Sequence, residues 1–285
     1  MATRQLTKPL YPFASNSPNV ESALADVPGR SLPLGSLGTG FAVLDRILPR
    51  EVAMNLRRAL SLMCYYTLAV DNYVEGTAEA QSLDVIAEER NLVQHSLMSL
   101  ATADELAGDA RAAAAAAEEE EQAQGDEDED EDEEEEEDEE DEEDEEDEED
   151  EEEEREYSLY ELCRLGAMIY SLLAVFPLPA TAAPFGQLGQ QVRQQMTRAN
   201  VHVRWKEAPY LMLWVTVMGA IASVGDPGER AWFVSALDRL AGRLQLDSWD
   251  AMKRHLQSFL WYSSTSDVDG IDLWKEMELS NPFGF

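Results

Sequence analysis

From Asp126 to Glu154 the chain is an unbroken run of 29 aspartates and glutamates, set in the interior of the sequence. No apolar side chain in that run offers burial, and neighbouring carboxylates repel one another. Chain entropy is therefore not offset there, and the run is expected to be disordered at neutral pH. Whatever core forms must come from the residues on either side. The wider window 118–156 holds 34 acidic residues and Arg155, which leaves 25 acidic and 20 basic residues elsewhere. The remainder thus carries only −5 of the net −38, and the extreme charge describes the insert rather than the fold.

Without the insert and the N-terminal tail, roughly 200 residues remain, enough for one sizeable core or two small ones. Apolar residues make up 44% of the chain even with the acidic run diluting them. The two cysteines, Cys64 and Cys163, lie one on each side of the run inside apolar helical patterns, and buried thiols are the expectation. Met1–Pro9 has no apolar segment of the secretory kind. Ala208–Gly225 is uncharged over 18 residues but contains Pro209, Thr216, Ser223 and two glycines, which fits a buried core helix better than a membrane span. These features point to an intracellular chain with no membrane partner.

Helical periodicity runs through both flanks. Residues 1–35 are broken by Pro9, Pro12, Pro18, Pro28 and Pro33 and read as a loose tail. In the first helical half, 36–116, Phe41, Leu44, Ile47 and Leu48 precede Pro49, and Val52, Leu56, Leu60, Met63, Thr67 and Val70 stripe a helix to about Tyr73. A further helix covers Leu83 to Leu100, and Thr102 with Glu105 forms a capping box for one that continues through Ala112–Ala117. The acidic insert is 117–156. The second half, 157–279, opens with Ser158 as N-cap of a helix that Pro177 and Pro179 stop. Gln187–Arg198 is polar and amphipathic, whereas Pro209–Val224 is apolar nearly all round. Asp226-Pro227-Gly228-Glu229 combines an N-cap, an N1 proline and an N3 glutamate. Asp247 opens a helix through Leu260, a short helix carries Ile271 to Met277, and 280–285 is a tail. The fold class expected is all-α, an irregular multi-helix bundle interrupted by the acidic insert.

Chemistry is sparse. His95, His202 and His255 fall in different elements without metal-ligand spacing, so the expectation is no metal, no cofactor and no catalytic residue. Gly35-Ser-Leu-Gly-Thr-Gly40 lacks the Lys and Ser/Thr of a phosphate loop and reads as a glycine-rich lead into a helix. Asp267, Asp269, Gly270 and Glu276 match positions 3, 5, 6 and 12 of an EF-hand loop, but Thr265 replaces the first charged ligand. The reading preferred there is a helix–loop–helix turn with Asp269 capping the last helix. Four lysines and the isolated pair Arg57 and Arg58 make no basic stripe, and the acidic run would repel phosphate backbones.

The order of several segments resembles the helical regulatory region of fungal-specific transcription factors. These are Leu37-Gly-Thr-Gly-Phe41; Glu88-Glu-Arg-Asn-Leu-Val-Gln-His-Ser-Leu97; Tyr160-Glu-Leu-Cys-Arg-Leu165 ahead of Val175-Phe-Pro-Leu-Pro179; Leu213-Trp214 to Gly225; Arg230-Ala-Trp-Phe-Val234; and Phe259-Leu-Trp261 before Leu273-Trp274. The resemblance implies a non-catalytic, nuclear regulatory domain acting through protein partners such as the transcription machinery. Relatives carry a zinc binuclear cluster built on six cysteines, and this chain has two, so direct sequence-specific DNA binding is not expected. The alternative class is an acidic chaperone-like factor that uses the Asp/Glu run to bind histones or other basic proteins. Oligomeric state is open at this point.

Overall fold

Helix follows helix through the computed structural model, which describes residues 35–125, 157–179, 184–198 and 206–280. No strand occurs among the described residues, and the fold is all-α. The N-terminal tail, the acidic run, His202 and residues 281–285 lie outside the described residues.

The first flank opens with a tight lead-in. Gly38 has φ +80°, and a Cβ there would sit 2.8 Å from Cys64 Sγ. Gly40 donates its N–H to the Ser258 carbonyl at 2.7 Å, and a Cβ would overlap the Phe259 ring at 2.5 Å. The glycines are thus there for close packing. A 3-10 turn, Thr39–Val43, leads into α1 (Leu44–Ile47) and then α2 (Arg50–Glu75). Helix α2 ends at Gly76 in the left-handed region, where Thr77 N–H reaches the Asn72 carbonyl at 3.0 Å and Gly76 N–H that of Tyr73 at 3.3 Å. That pair of bonds is a Schellman closure, and the chain turns back into α3 (Leu83–Met98), which packs along α2. Helix α4 (Ala103–Gly125) starts on the capping box expected of it. Thr102 N–H donates to Glu105 Oε2 at 2.8 Å and Glu105 N–H to Thr102 Oγ1 at 3.2 Å. Beyond Ala107 its side chains to residue 116 are almost all exposed, so this helix runs out along or away from the body.

Helix α5 (Tyr157–Val175) is helical from its first described residue, so Ser158 lies inside the first turn, buried, and is not the N-cap expected. Its last turn, Ser171–Val175, widens to a π-helix, and Phe176 N–H bonds the Ser171 carbonyl at 2.8 Å before Pro177 ends the helix. By length and hydropathy α5 could cross a membrane, but 83% of that window is buried inside the fold. Next come α6 (Phe185–Arg198), α7 (Pro209–Ala222) and α8 (Pro227–Leu244). Asp226 caps α8 by accepting from Gly228 and Glu229 N–H at 3.0 and 3.2 Å. The N-cap of α9 (Trp249–Leu256) is Ser248, which accepts from Ala251 N–H at 3.3 Å. Asp247, the residue expected there, is one position too early for its oxygen to reach that amide. The helix also stops at Leu256, and Phe259 and Leu260 are buried in the turn after it.

The last element departs most from expectation. Helix α10 (Ser263–Ser280) is continuous over 18 residues, so Thr265–Glu276 is neither a calcium loop nor a helix–loop–helix turn, and Asp269 caps nothing. Asp267 instead accepts from Lys253 Nζ at 2.5 Å and Trp261 Nε1 at 2.8 Å, and Glu276 takes a two-pronged pair from Arg230 at 2.9 Å. Gly270 lies against the Trp249 ring. The charged residues that mimic calcium ligands are ties between helices.

Helix α7 is buried on every side from Leu211 to Ala222 and packs against α6, α8, α9, α10 and the 3-10 turn. A single cluster of buried residues draws on both sides of the acidic run, joining Leu56, Leu60 and Met63 to Cys163, Tyr170, Trp214 and Phe259. Trp214 donates its indole N–H to the Leu260 carbonyl at 2.8 Å, and Phe41 sets its ring edge-on to both Trp214 and Phe259. Such rings in edge-to-face contact add to the burial itself.

Candidate interaction surface

The elements that flank the acidic run meet at one corner. Glu161 of α5 is only 9% exposed along its side chain and holds Arg164 through two bonds, at 2.6 and 2.8 Å. The same carboxylate accepts from Ala103 N–H at 3.3 Å, and Tyr160 donates its hydroxyl to the Ala101 carbonyl at 2.7 Å. The start of α4 is therefore fastened to the start of α5.

The residues weighed for chemistry do not converge. His95 lies in α3, while His255 in α9 stacks on Tyr210 at 4.1 Å. Burial and then the Arg254 charge hold His255 below the usual imidazole range. Both cysteines are buried free thiols; burial pushes Cys64 up to about 12 and Cys163 higher still, so neither is a nucleophile at neutral pH. Burial also raises the Asp71 carboxyl, with Glu75 adding to it and a Tyr262 hydrogen bond opposing. Among the described residues no group of three or more His, Cys, Asp or Glu is placed to hold a metal ion. Arg57 is paired with Asp45 across α1 and α2.

Helices α6 and α8 line a shallow surface cleft. Leu188, Val192 and Met196 fall on one side of α6, and that side is buried. Gly189 lets it come close to α7: a Cβ there would stand 2.7 Å from Ser223 Oγ, and one on Gly219 would stand 3.1 Å from Val192 Cγ1. The opposite side carries Gln187, Gln190, Gln191, Gln194, Thr197 and Arg198, all exposed. Because Asp226 fixes where α8 starts, Glu229 falls in its first turn facing α6. It does not close a capping box; its Oε1 accepts from Arg193 Nη1 at 2.8 Å. Glu229 Oε2 is buried and has no protein hydrogen-bond partner among the described residues. The Arg193 guanidinium also lies over the Trp232 ring, 5.3 Å from its centre, and Trp232 is in turn edge-on to the buried Phe233 at 4.9 Å. Between the helices opens a cleft of about 460 Å3, lined by Gln190, Arg193, Gln194, Thr197, Arg198 and Glu229.

An Arg–Trp stack with an ion pair, ringed by amides, is the composition of side chains that anchor protein interfaces. Periodicity alone marks Gln187–Arg198 as an amphipathic helix. What it cannot show is that Glu229 and Trp232, 30 and more residues later, complete the surface. The signal that was available is the strong α8 start, which sets the side to which Glu229 points.

Comparison with known proteins yields one family. Residues 113–203 match the family described as the centromere protein B dimerisation domain. No curated protein and no solved structure matches the chain. The matched span is about a third of the chain and takes in the exposed end of α4, the whole acidic run, α5 and α6. Since α5 is a core helix, the exposed side chains described in that span are those on the outer face of α6 and at the end of α4. The family named by this match differs from the one that the order of segments resembles.

Proposed function

We propose that this chain is a non-enzymatic, all-helical regulatory or interaction domain that acts through protein partners, a second copy of itself among them. The observation that carries the reading is the match of 113–203 to a dimerisation domain, with the exposed face of α6 inside it. The resemblance to fungal transcription-factor regulatory regions supports the same class, and with it a nuclear location and partners in the transcription machinery. Direct sequence-specific DNA binding is not part of the reading. Sedimentation equilibrium over a wide range of protein concentration tests the self-association arm. A mass that climbs with concentration supports it, and a strictly monomeric chain at high protein and high salt counts against it. Capture with the chain as bait that recovers no transcription or chromatin protein would sink the regulatory arm.

A second reading follows from the 29 consecutive carboxylates of 126–154. A polyanion of that length binds histone tails and other basic proteins through salt-sensitive attraction. Deleting Asp126–Glu154 separates the readings. If affinity for a histone tail peptide is unchanged by the deletion, the run is a solubilising insert and nothing more.

A further inference from the structure

We infer that the α2–α3 turn is a docking surface for the chain's own N-terminal segment, residues 4–13. The turn is an apolar patch ringed by carboxylates. Tyr73 and Val74 lie in the last turn of α2 and Leu83 opens α3, and they are 43%, 67% and 59% exposed. From residue 59 to residue 89 the chain has six Asp or Glu and no Lys or Arg. Of the six, Glu75, Glu79 and Asp84 are exposed and in no ion pair among the described residues. Other exposed apolar side chains stand in different company. Met54 shares its part of α2 with Arg50, Arg57 and Arg58, which would repel a basic segment. Near Val268 and Ile271 on α10, the carboxylates of Asp267, Asp272 and Glu276 are already taken by Lys253, Lys275 and Arg230.

A segment complementary to this surface is apolar, basic and without carboxylates, and the chain supplies one. Residues 1–20 hold Arg4 and Lys8 among Leu6, Leu10, Tyr11 and Phe13, and the first acidic residue is Glu21. Pro9 and Pro12 have φ fixed in any state, which lowers the entropy lost on docking. Reach does not limit the contact. Gly38 packs against Cys64, so the described chain starts beside the middle of α2, and Val74 is about 15 Å further along that helix. Residues 14–34 span up to about 70 Å when extended. A contact within one chain is met at an effective concentration of order millimolar, so a weak match suffices. The acidic run also attracts Arg4 and Lys8. It has no apolar side chain from 126 to 154, however, so Leu6, Leu10, Tyr11 and Phe13 gain nothing there. The apolar contact fixes the place, and the charges add attraction that salt weakens. Docked there, the segment competes with any other basic, apolar partner for this face.

Disulfide trapping tests this on the full chain at dilute protein, with far-UV circular dichroism confirming the fold. Both native cysteines are buried and stay silent. Leu10→Cys with Leu83→Cys is expected to form an intrachain disulfide on mild oxidation at least tenfold faster than Leu10→Cys with Leu279→Cys. Leu279 is the fitting control, being apolar, 81% exposed and on α10. Two further changes keep the cysteine pair and remove the match. Val74→Asp and Phe13→Ser are each expected to slow the 10–83 bond at least fivefold, whereas deleting Asp126–Glu154 should change its rate less than twofold. Equal rates at positions 83 and 279 overturn the docking, as does a 10–83 bond indifferent to Val74→Asp and Phe13→Ser. A bond that forms between chains even at dilute protein overturns it and gives the patch to a second copy. A bond lost on deleting the run overturns it too, because the run and not the α2–α3 turn then holds the segment.

Discussion

Replacing Gly270 by alanine tests the central correction to the calcium-loop pattern. In an EF-hand a glycine at that position makes a sharp turn, whereas here it lies mid-helix in α10, buried, with the Trp249 ring against its backbone. Two effects of the methyl oppose. Alanine is favoured over glycine inside a helix by about 1 kcal/mol. Against this, the new Cβ would stand 2.2 Å from a Trp249 ring carbon, more than an ångström inside ordinary contact at 3.4 Å, and two further ring atoms lie at 2.8 and 3.0 Å. The indole cannot swing away freely, because it packs on the core and leans on Trp261 at 5.8 Å. Overpacking costs about 1–3 kcal/mol, and an approach of 2.2 Å puts this site at the upper end, about 2–3, so the net effect expected is a loss of about 1–2 kcal/mol. Gly108 is the control: it lies in α4 with nothing within 4 Å of its virtual Cβ, and Gly108→Ala should gain a few tenths of a kcal/mol. Urea unfolding followed by circular dichroism and by tryptophan fluorescence reads both, given coincident transitions and unchanged slopes. With a slope of about 2 kcal/mol per molar, Gly270→Ala should lower the midpoint by roughly 0.5–1 M. A midpoint that stays or rises would refute the packing argument, because helix propensity would then have decided the sign.

Further outcomes follow from the same contacts. Glu161→Gln should cost about 3 kcal/mol, since it takes from the Arg164 guanidinium, only 11% exposed, the charged carboxylate that holds it by two bonds; thermal melting reads this as a large fall in Tm. Gln245 ends α8 in the left-handed region at φ +54° with Leu246 N–H on the Ala241 carbonyl, so Gln245→Gly should be neutral or stabilise by up to about 1 kcal/mol in urea unfolding. Cys64, whose ordinary value is 9.0, is raised by burial to about 12, and Cys163, Tyr160 and Tyr170 are also raised mainly by burial. The native state then keeps protons that the unfolded state gives up, so stability is full below pH 9 and falls as pH climbs towards 12. Urea midpoints at pH 7.5 and 10.5 check this, and a thiol reagent at pH 8 should label neither cysteine until the chain unfolds.

Much of the helix pattern was legible because helix boundaries are written locally. The Thr102–Glu105 capping box and the Asp226 cap each rest on residues within one turn of one another, and the apolar girdle of α7 is one contiguous stretch. The misses share a cause as well. Asp247 and Ser248 are both good caps, and only the position of the Ala251 amide decides between them. Asp267, Asp269, Gly270 and Glu276 have a calcium-loop spacing, yet Lys253, Trp261, Arg230 and Trp249 claim three of these four from other elements, and those partners are invisible to a local reading. Ser158 stands just before the apolar run from Leu159 and so reads as a cap, though the helix is already formed at Tyr157. The candidate interaction surface was the least legible part. Its anchor is an Arg193–Glu229–Trp232 contact across two helices that sequence distance separates.

Helix α7 carries a consequence for how such a chain comes off the ribosome. Its apolar girdle from Leu211 to Ala222 is covered by α8, α9 and α10, all of which are synthesised after it. While those helices are still being made, the most water-averse segment of the protein has half its cover missing. A chain stopped soon after residue 225 keeps α6 and the 3-10 turn against α7 but lacks α8, α9 and α10, so part of the apolar girdle is left uncovered. Such fragments should be found with holdase chaperones or in inclusion bodies.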